Sequence, residues 1–193
     1  LVLMSARQRD VVERFRDLQL PVVFLGDAAT LDEVFDHMTL IGAALGEDDA
    51  ARGLIASLRG RVEAVRAQAA STTAGGAGPR VFYELTPALH TASPQSFVGS
   101  MFSLLRARNI APGPTPYPQL TAEHVIAADP EVIVLAYVGA AKADPRSVGA
   151  RPGWSAVSAV RTGRVVVIDP DVANRAGPRV VDALEVLARA LYP

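Results

Sequence analysis

The chain has 193 residues, 50% of them hydrophobic and 20% charged, which is enough for one or two compact domains and too apolar for a disordered chain. Nineteen Lys and Arg against twenty Asp and Glu leave a net charge of -1, so no basic field is available to drive binding to a nucleic acid or another polyanion. The absence of cysteine excludes disulfides, thiolate metal sites and thiol nucleophiles, and no apolar run reaches the roughly 20 residues of a membrane-spanning helix.

Leu1 to Ser5 reads as a short apolar strand, and its opening without a leader or cap predicts that the chain is part of a longer one. Val11, Val12, Phe15 and Leu18 fall on one helical face between Arg7 and Leu18, and residues 21–25 form a second buried strand, giving a β-α-β unit. Thr30 with Glu33 three residues on predicts a capped helix that Gly46 ends. From Asp48 to about Ala70, apolar positions at Leu54, Ile55, Leu58, Val62 and Val65 predict one long helix. At 1.5 Å per residue it spans on the order of 35 Å, long enough to bridge two lobes.

Residues 71–79 are small and Gly-rich, the clearest linker in the chain. Beyond it the pattern predicts a strand over 80–85, a helix over 95–106 and a stiff irregular loop over 111–118, where Pro112, Pro114, Pro116 and Pro118 alternate with other residues. Thr121 caps a short helix to Ala128, residues 131–137 form a buried strand, and residues 154–160 a short helix. A strand over 164–168 and a last helix from Gly177 to Leu191 complete the order. Strands alternating with helices predict a mostly parallel α/β sheet.

Enzyme templates fail in turn. Neither Gly-x-Gly-x-x-Gly nor a phosphate-binding Gly-rich loop with Lys occurs, Lys142 being the sole lysine, and no Gly-x-Ser-x-Gly turn is present. His37 lies one turn after Glu33, a pair able to ligate a metal and equally an exposed helix position. His124 and Glu123 are adjacent and so point different ways on a helix. His90 follows the first strand of the second unit, where α/β sheets bind ligands beyond their strand ends. Tyr117, between Pro116 and Pro118, offers a flat ring on a stiff loop, either to a ligand or to the loop's own packing. Trp154 suits a core anchor or a site wall, and Arg175 and Arg179 flank a helix start where an anion could sit.

The run from Thr115 through Tyr117-Pro118-Gln119-Leu120 and Glu123 to Asp129-Pro130-Glu131-Val132-Ile133 resembles the substrate-binding proteins of ABC importers for vitamin B12, haem and iron siderophores. Ser96-Phe97-Val98-Gly99 with Ala107-Arg108-Asn109-Ile110-Ala111, Arg151-Pro152-Gly153-Trp154 with Gly163-Arg164-Val165, and Ala176-Gly177-Pro178-Arg179 are similar to further motifs of that family. The resemblance implies an α/β fold of two Rossmann-like lobes joined by a long connecting helix, the helical-backbone metal-receptor type, with the N-terminal lobe incomplete. The division would be a remainder of that lobe over 1–46, the connecting helix over 47–70, a linker over 71–79 and the C-terminal lobe over 80–193.

It further implies a non-enzymatic component of an ABC importer with no intrinsic cofactor. Its transported ligand would be a corrinoid such as cobalamin, with haem or a ferric siderophore as the alternatives, and a cytoplasmic α/β enzyme as a different class of reading. Tyr117 matches the family's ligand-contacting aromatic and Glu123 its permease-docking acid. His90, Trp154, Asn174 and Arg175 fall near the expected cleft, and no metal ligand is expected. The implied partners are a membrane permease with its ATPase, and a dimer or domain swap could cover strand edges left by the incomplete lobe. The implied location is periplasmic or extracytoplasmic, with a lipid anchor in the full-length form.

Overall fold

In the computed structural model, residues 1–137, 143–173 and 177–193 are described. Strand β1 (Val2–Ser5) and strand β2 (Val22–Leu25) pair in parallel with Val2 opposite Val22 and Ser5 opposite Leu25. The expected helix between them begins as a 3-10 turn over Ala6–Val11 and becomes α1 only at Val12–Asp17. Helix α2 (Leu31–Leu45) starts where the Thr30 hydroxyl accepts the Glu33 backbone N–H at 3.2 Å. The Glu33 carboxylate reaches back to the Ala29 N–H at 2.7 Å. Gly46 ends the helix in the left-handed region, φ 73°, as a glycine does most cheaply.

Helix α3 (Asp48–Thr72) runs 25 residues, about 38 Å at 1.5 Å each. Leu58, Val62, Val65 and Ala69 recur every three or four positions and form its buried stripe. Two arginines grip neighbours on different sides of it. Arg59 pairs with Asp32 of α2 at 3.0 Å, while Arg61 reaches Asp182 at 2.6 Å and Glu185 at 2.8 Å. Those two carboxylates belong to the last helix, described below. The stretch expected as a free linker is fastened down: the Gly78 N–H donates to the Arg106 carbonyl at 2.8 Å, and the Arg106 guanidinium to the Gly75 carbonyl at 2.7 Å.

The remaining chain forms β3 (Arg80–Glu84), α4 (Phe97–Leu104), β4 (Arg108–Asn109), α5 (Ala122–Ala128), β5 (Val132–Leu135), α6 (Pro145–Gly149), α7 (Ser158–Arg161), β6 (Val165–Val167), α8 (Pro170–Ala173) and α9 (Val180–Leu191). The strands lie in the order β4-β3-β5-β6, all parallel. Successive residues point to opposite faces. Val81, Tyr83, Val132 and Val134 pack with α4, α9 and the buried stripe of α3, whereas Phe82, Ile133 and Leu135 pack with Val125, Val148 and Trp154 on the other face. The first cluster also contains Leu31, Val34 and Phe35 of α2, so one apolar core runs from the first unit through α3 into the second.

Three short elements fall outside the sequence expectation. Strand β4 has only two polar residues and therefore no hydrophobic period. Helix α6 depends on Asp144, whose side chain accepts the Arg146 N–H, and on Pro145 at the first turn. Helix α8 is a single turn. The helix expected over 154–160 is broken at Val157, which is extended at ψ 133°, into a 3-10 turn (Trp154–Ala156) and α7.

Candidate functional site

Parallel α/β sheets present their ligand sites beyond the carboxyl ends of the strands, where the loops open and backbone polar groups turn outward. In the second unit that end is built by a ribbon of two loops. The chain leaves β3 at Glu84, turns over Thr86–Leu89, and returns with an antiparallel bridge between Glu84 and Thr91. A second bridge joins His90 to Gln119. Three backbone bonds zip the loops together: Thr91 N–H to the Pro118 carbonyl at 2.9 Å, Ser93 N–H to Pro116 at 2.9 Å, and Leu120 N–H to Leu89 at 3.0 Å. The alternating prolines remove competing donors and fix φ, which leaves this one ladder available.

Tyr117 sits in the ribbon with 55% of its surface exposed. Partial burial pushes its phenol pKa up, and the negative charge of Asp27, two residues beyond β2, adds to that. A residue at the strand end of the first unit therefore lies within electrostatic reach of the ribbon of the second. His90 is exposed on the same ribbon, its Nδ1 2.9 Å from the Thr86 hydroxyl. The structure thus brings together His90 and Tyr117.

Trp154 is the correction. It is 1% exposed, packed against Phe82 at 6.1 Å between ring centroids and covered by the Arg151 guanidinium at 4.6 Å, so it offers no surface to a solute. The burial of so large a ring outweighs the exposure that contact with a ligand would need. Asn174 and Arg175 lie outside the described residues.

Glu123 stands exposed in the first turn of α5, after the Thr121 cap that accepts the His124 N–H at 3.2 Å. Its own backbone N–H at the helix start, then the Thr121 hydroxyl, hold its carboxyl below the usual range, so it stays charged. The His124 ring nitrogen Nε2 lies 3.0 Å from the Ile110 carbonyl, directed away from any acid-base pairing. Glu33 is spent on capping, and among the described residues no group of three His, Cys, Asp or Glu could hold a metal.

Sequence reasoning missed a buried polar cluster beneath the ribbon. Glu84 is 0% exposed, and Arg151 grips it with both arms, at 3.0 Å to Oε2 and 2.9 Å to Oε1. The Tyr137 hydroxyl donates to Oε1 at 3.1 Å and accepts from Arg151 at 2.9 Å. Burial raises the carboxyl pKa of Glu84, and the Arg151 bonds work against that rise. The signal was an acid closing the otherwise apolar run Val81-Phe82-Tyr83-Glu84, with an arginine just before Trp154. Elsewhere, a cavity of about 700 Å³ lies between α2, α3 and α4, lined by Phe35, Arg59, Val62, Arg66, Ser100 and Leu104. Neither His90 nor Tyr117 lines it.

The chain thus folds as two parallel α/β units joined through one long helix, with Tyr117 exposed on the ribbon at the strand ends of the second. Residues 1–172 match the family model described as periplasmic binding protein, and the chain belongs to that family.

Over 192 residues the chain is 31% identical to YvrC of Bacillus subtilis, named an uncharacterized ABC transporter substrate-binding lipoprotein, covering 98% of this chain and 59% of that protein. Over 187 residues it is 30% identical to a cobalamin-binding protein of Halobacterium salinarum, covering 94% of this chain and 50% of that one. The chain thus spans between half and three fifths of the length of these relatives. Among solved structures it is similar to the periplasmic heme-binding protein BhuT in complex with two hemes, with a TM-score of 0.86 and 27% identity over 98% of this chain and 74% of that one. Its fold also matches the periplasmic vitamin B12-binding protein BtuF of Vibrio cholerae, with a TM-score of 0.75 and 24% identity over 98% and 73% of the two chains. These likenesses support the two-lobe fold. They lend none to a swapped dimer, and β1 finds its partner β2 within the same chain.

Proposed function

We propose that this chain is the substrate-binding component of an ABC importer, which takes a corrinoid such as cobalamin between its lobes and delivers it to a membrane permease and its ATPase. The observation that carries this reading is Tyr117: an aromatic ring half exposed on a proline-stiffened ribbon, within reach of the other lobe's strand end at Asp27. A flat macrocycle gains most from such a ring, because the ring is large and little entropy is lost in holding it. The relative named cobalamin-binding supports the corrinoid. Asp27 adds a carboxylate suited to the amide N–H groups around a corrin and opposed to the carboxylates of haem.

Haem, or a ferric siderophore, is the second reading. It is favoured by the likeness to the heme-binding BhuT and by His90, whose imidazole stands on the same ribbon. Glu123, exposed and charged at the start of α5, is the proposed contact with the permease, and His90, Asn174 and Arg175 complete the proposed cleft. The proposed division of the chain stays at 1–46, 47–70, 71–79 and 80–193. The site of action is the extracytoplasmic or periplasmic side, with a lipid anchor in the full-length form as in the relative named a lipoprotein. Among the described residues no helix is long and apolar enough to cross a membrane.

Titration with cyanocobalamin and with haemin, each followed at the ligand's own absorption band, tests the reading. Saturable binding of cyanocobalamin, weakened in Tyr117→Ala, is expected. Binding of haemin alone would replace the corrinoid with haem, and binding of neither would remove the ligand assignment.

A further inference from the structure

Glu84, Arg151 and Tyr137 come from three separate places: the last position of β3, the turn after α6, and two residues past β5. They meet where the ribbon leaves the sheet. Every oxygen of the Glu84 carboxylate is used, and Arg151 is flanked by the Trp154 ring. The Arg151 side chain is 20% exposed and that of Glu84 is fully buried.

Replacing such a pair by apolar side chains of similar volume is often neutral for stability, so stability alone does not account for a buried ion pair at this position. Its place in the chain does. Glu84 is itself half of the bridge to Thr91, and Thr91 donates its backbone N–H to Pro118, next to Tyr117. Thr91 is fully buried, and among the described residues its hydroxyl has no hydrogen-bond partner; side chains hold the strand only further on, where Asn109 donates to the Ala92 carbonyl and Ser96 to the Ser93 carbonyl, both at 2.7 Å.

We propose that the forked Arg151–Glu84 pair, with the Tyr137 hydroxyl, fixes the ribbon where it leaves β3 and thereby helps hold Tyr117 in place. Arg151 and Glu84 are positioning residues that act through the Glu84–Thr91 bridge. Their bearing on ligand capture rests on the function proposed above; their effect on the ribbon does not.

Amide hydrogen exchange of the ligand-free chain, read residue by residue by NMR, tests this. In the double variant Glu84→Leu/Arg151→Met, which leaves no buried charge uncompensated, the amides of Thr91, Ser93 and Leu120 exchange faster by about tenfold or more, and those of Leu184 and Leu187 in α9 do not change. Unchanged exchange at the three ribbon amides overturns the proposal, as does the same acceleration in α9, which would mark a general loss of stability. Arg151→Lys keeps a cation and the fold but loses the fork, and accelerates the same three amides by a smaller factor. Full wild-type protection in that variant also overturns the proposal, because a point charge would then suffice. No ligand enters the measurement, so a failure of cyanocobalamin to bind bears only on the function.

Discussion

Tyr117 contributes little to the fold and, on the reading above, much to binding. With 55% of its surface exposed, its removal uncovers little core. Tyr117→Ala is therefore expected to lower cyanocobalamin affinity about tenfold, the worth of one good aromatic contact, with the thermal midpoint almost unmoved. Glu123→Ala should do the opposite of nothing in one assay only: unchanged ligand titration, and reduced stimulation of the ATPase in permease-containing vesicles. At this scale the sequence was informative where a residue's neighbours constrain it. The prolines around Tyr117 and the Thr121 cap before Glu123 announce their geometry locally. Glu84 and Arg151 are 67 residues apart, and no local pattern states that they meet. Trp154 was legible as large and apolar, which says that it packs and not which side of a sheet it packs against.

Elements bring their own predictions. In α4, a Cβ on Gly99 would stand 2.0 Å from the Ser93 carbonyl oxygen and 2.7 Å from the Pro94 Cα, both backbone atoms at the base of the ribbon. Gly99→Ala should cost about 1–3 kcal/mol in denaturant unfolding, since backbone must move to admit the methyl group. Asp129 ends α5 with φ 44° and accepts the Ser158 N–H at 2.7 Å and the Ser158 hydroxyl at 2.9 Å. Those bonds, and then Arg80, lower its carboxyl pKa. A lowered folded-state pKa stabilises the fold above the unfolded value and is lost as pH falls through the folded value. Melting curves should show Asp129→Asn less stable than the wild type at pH 7, with the difference closing once the pH drops below about 4. Long periodic elements such as α2 and α3 were legible within two residues of their ends. The short ones, β4 and α8, were not, because two or four residues cannot display a period and are shaped by what packs on them.

At the scale of the molecule, the apolar core is continuous from Leu31 and Phe35 through Leu58 and Val65 to Tyr83 and Leu184. The proposed lobes therefore should not melt separately. Calorimetry is expected to show one transition with equal calorimetric and van't Hoff enthalpies; two resolved transitions would show that α3 does not couple them. The alternation of strands and helices made the parallel α/β class legible from the sequence, and the length of the 48–70 pattern made a bridging helix legible. The placement of α3 against both units was not, since its partners are set by tertiary packing rather than by its own period.

Arg59 and Arg61 differ by two positions, about 200° around a helix, and each holds a different part of the molecule. The mutual orientation of the two units is thereby written as a residue count. One residue inserted between Arg59 and Arg61 would turn one grip by about 100° relative to the other, and the two could not both close. Here the chain behaves like a keyed shaft, whose two ends stay aligned only while the number of teeth between them is kept.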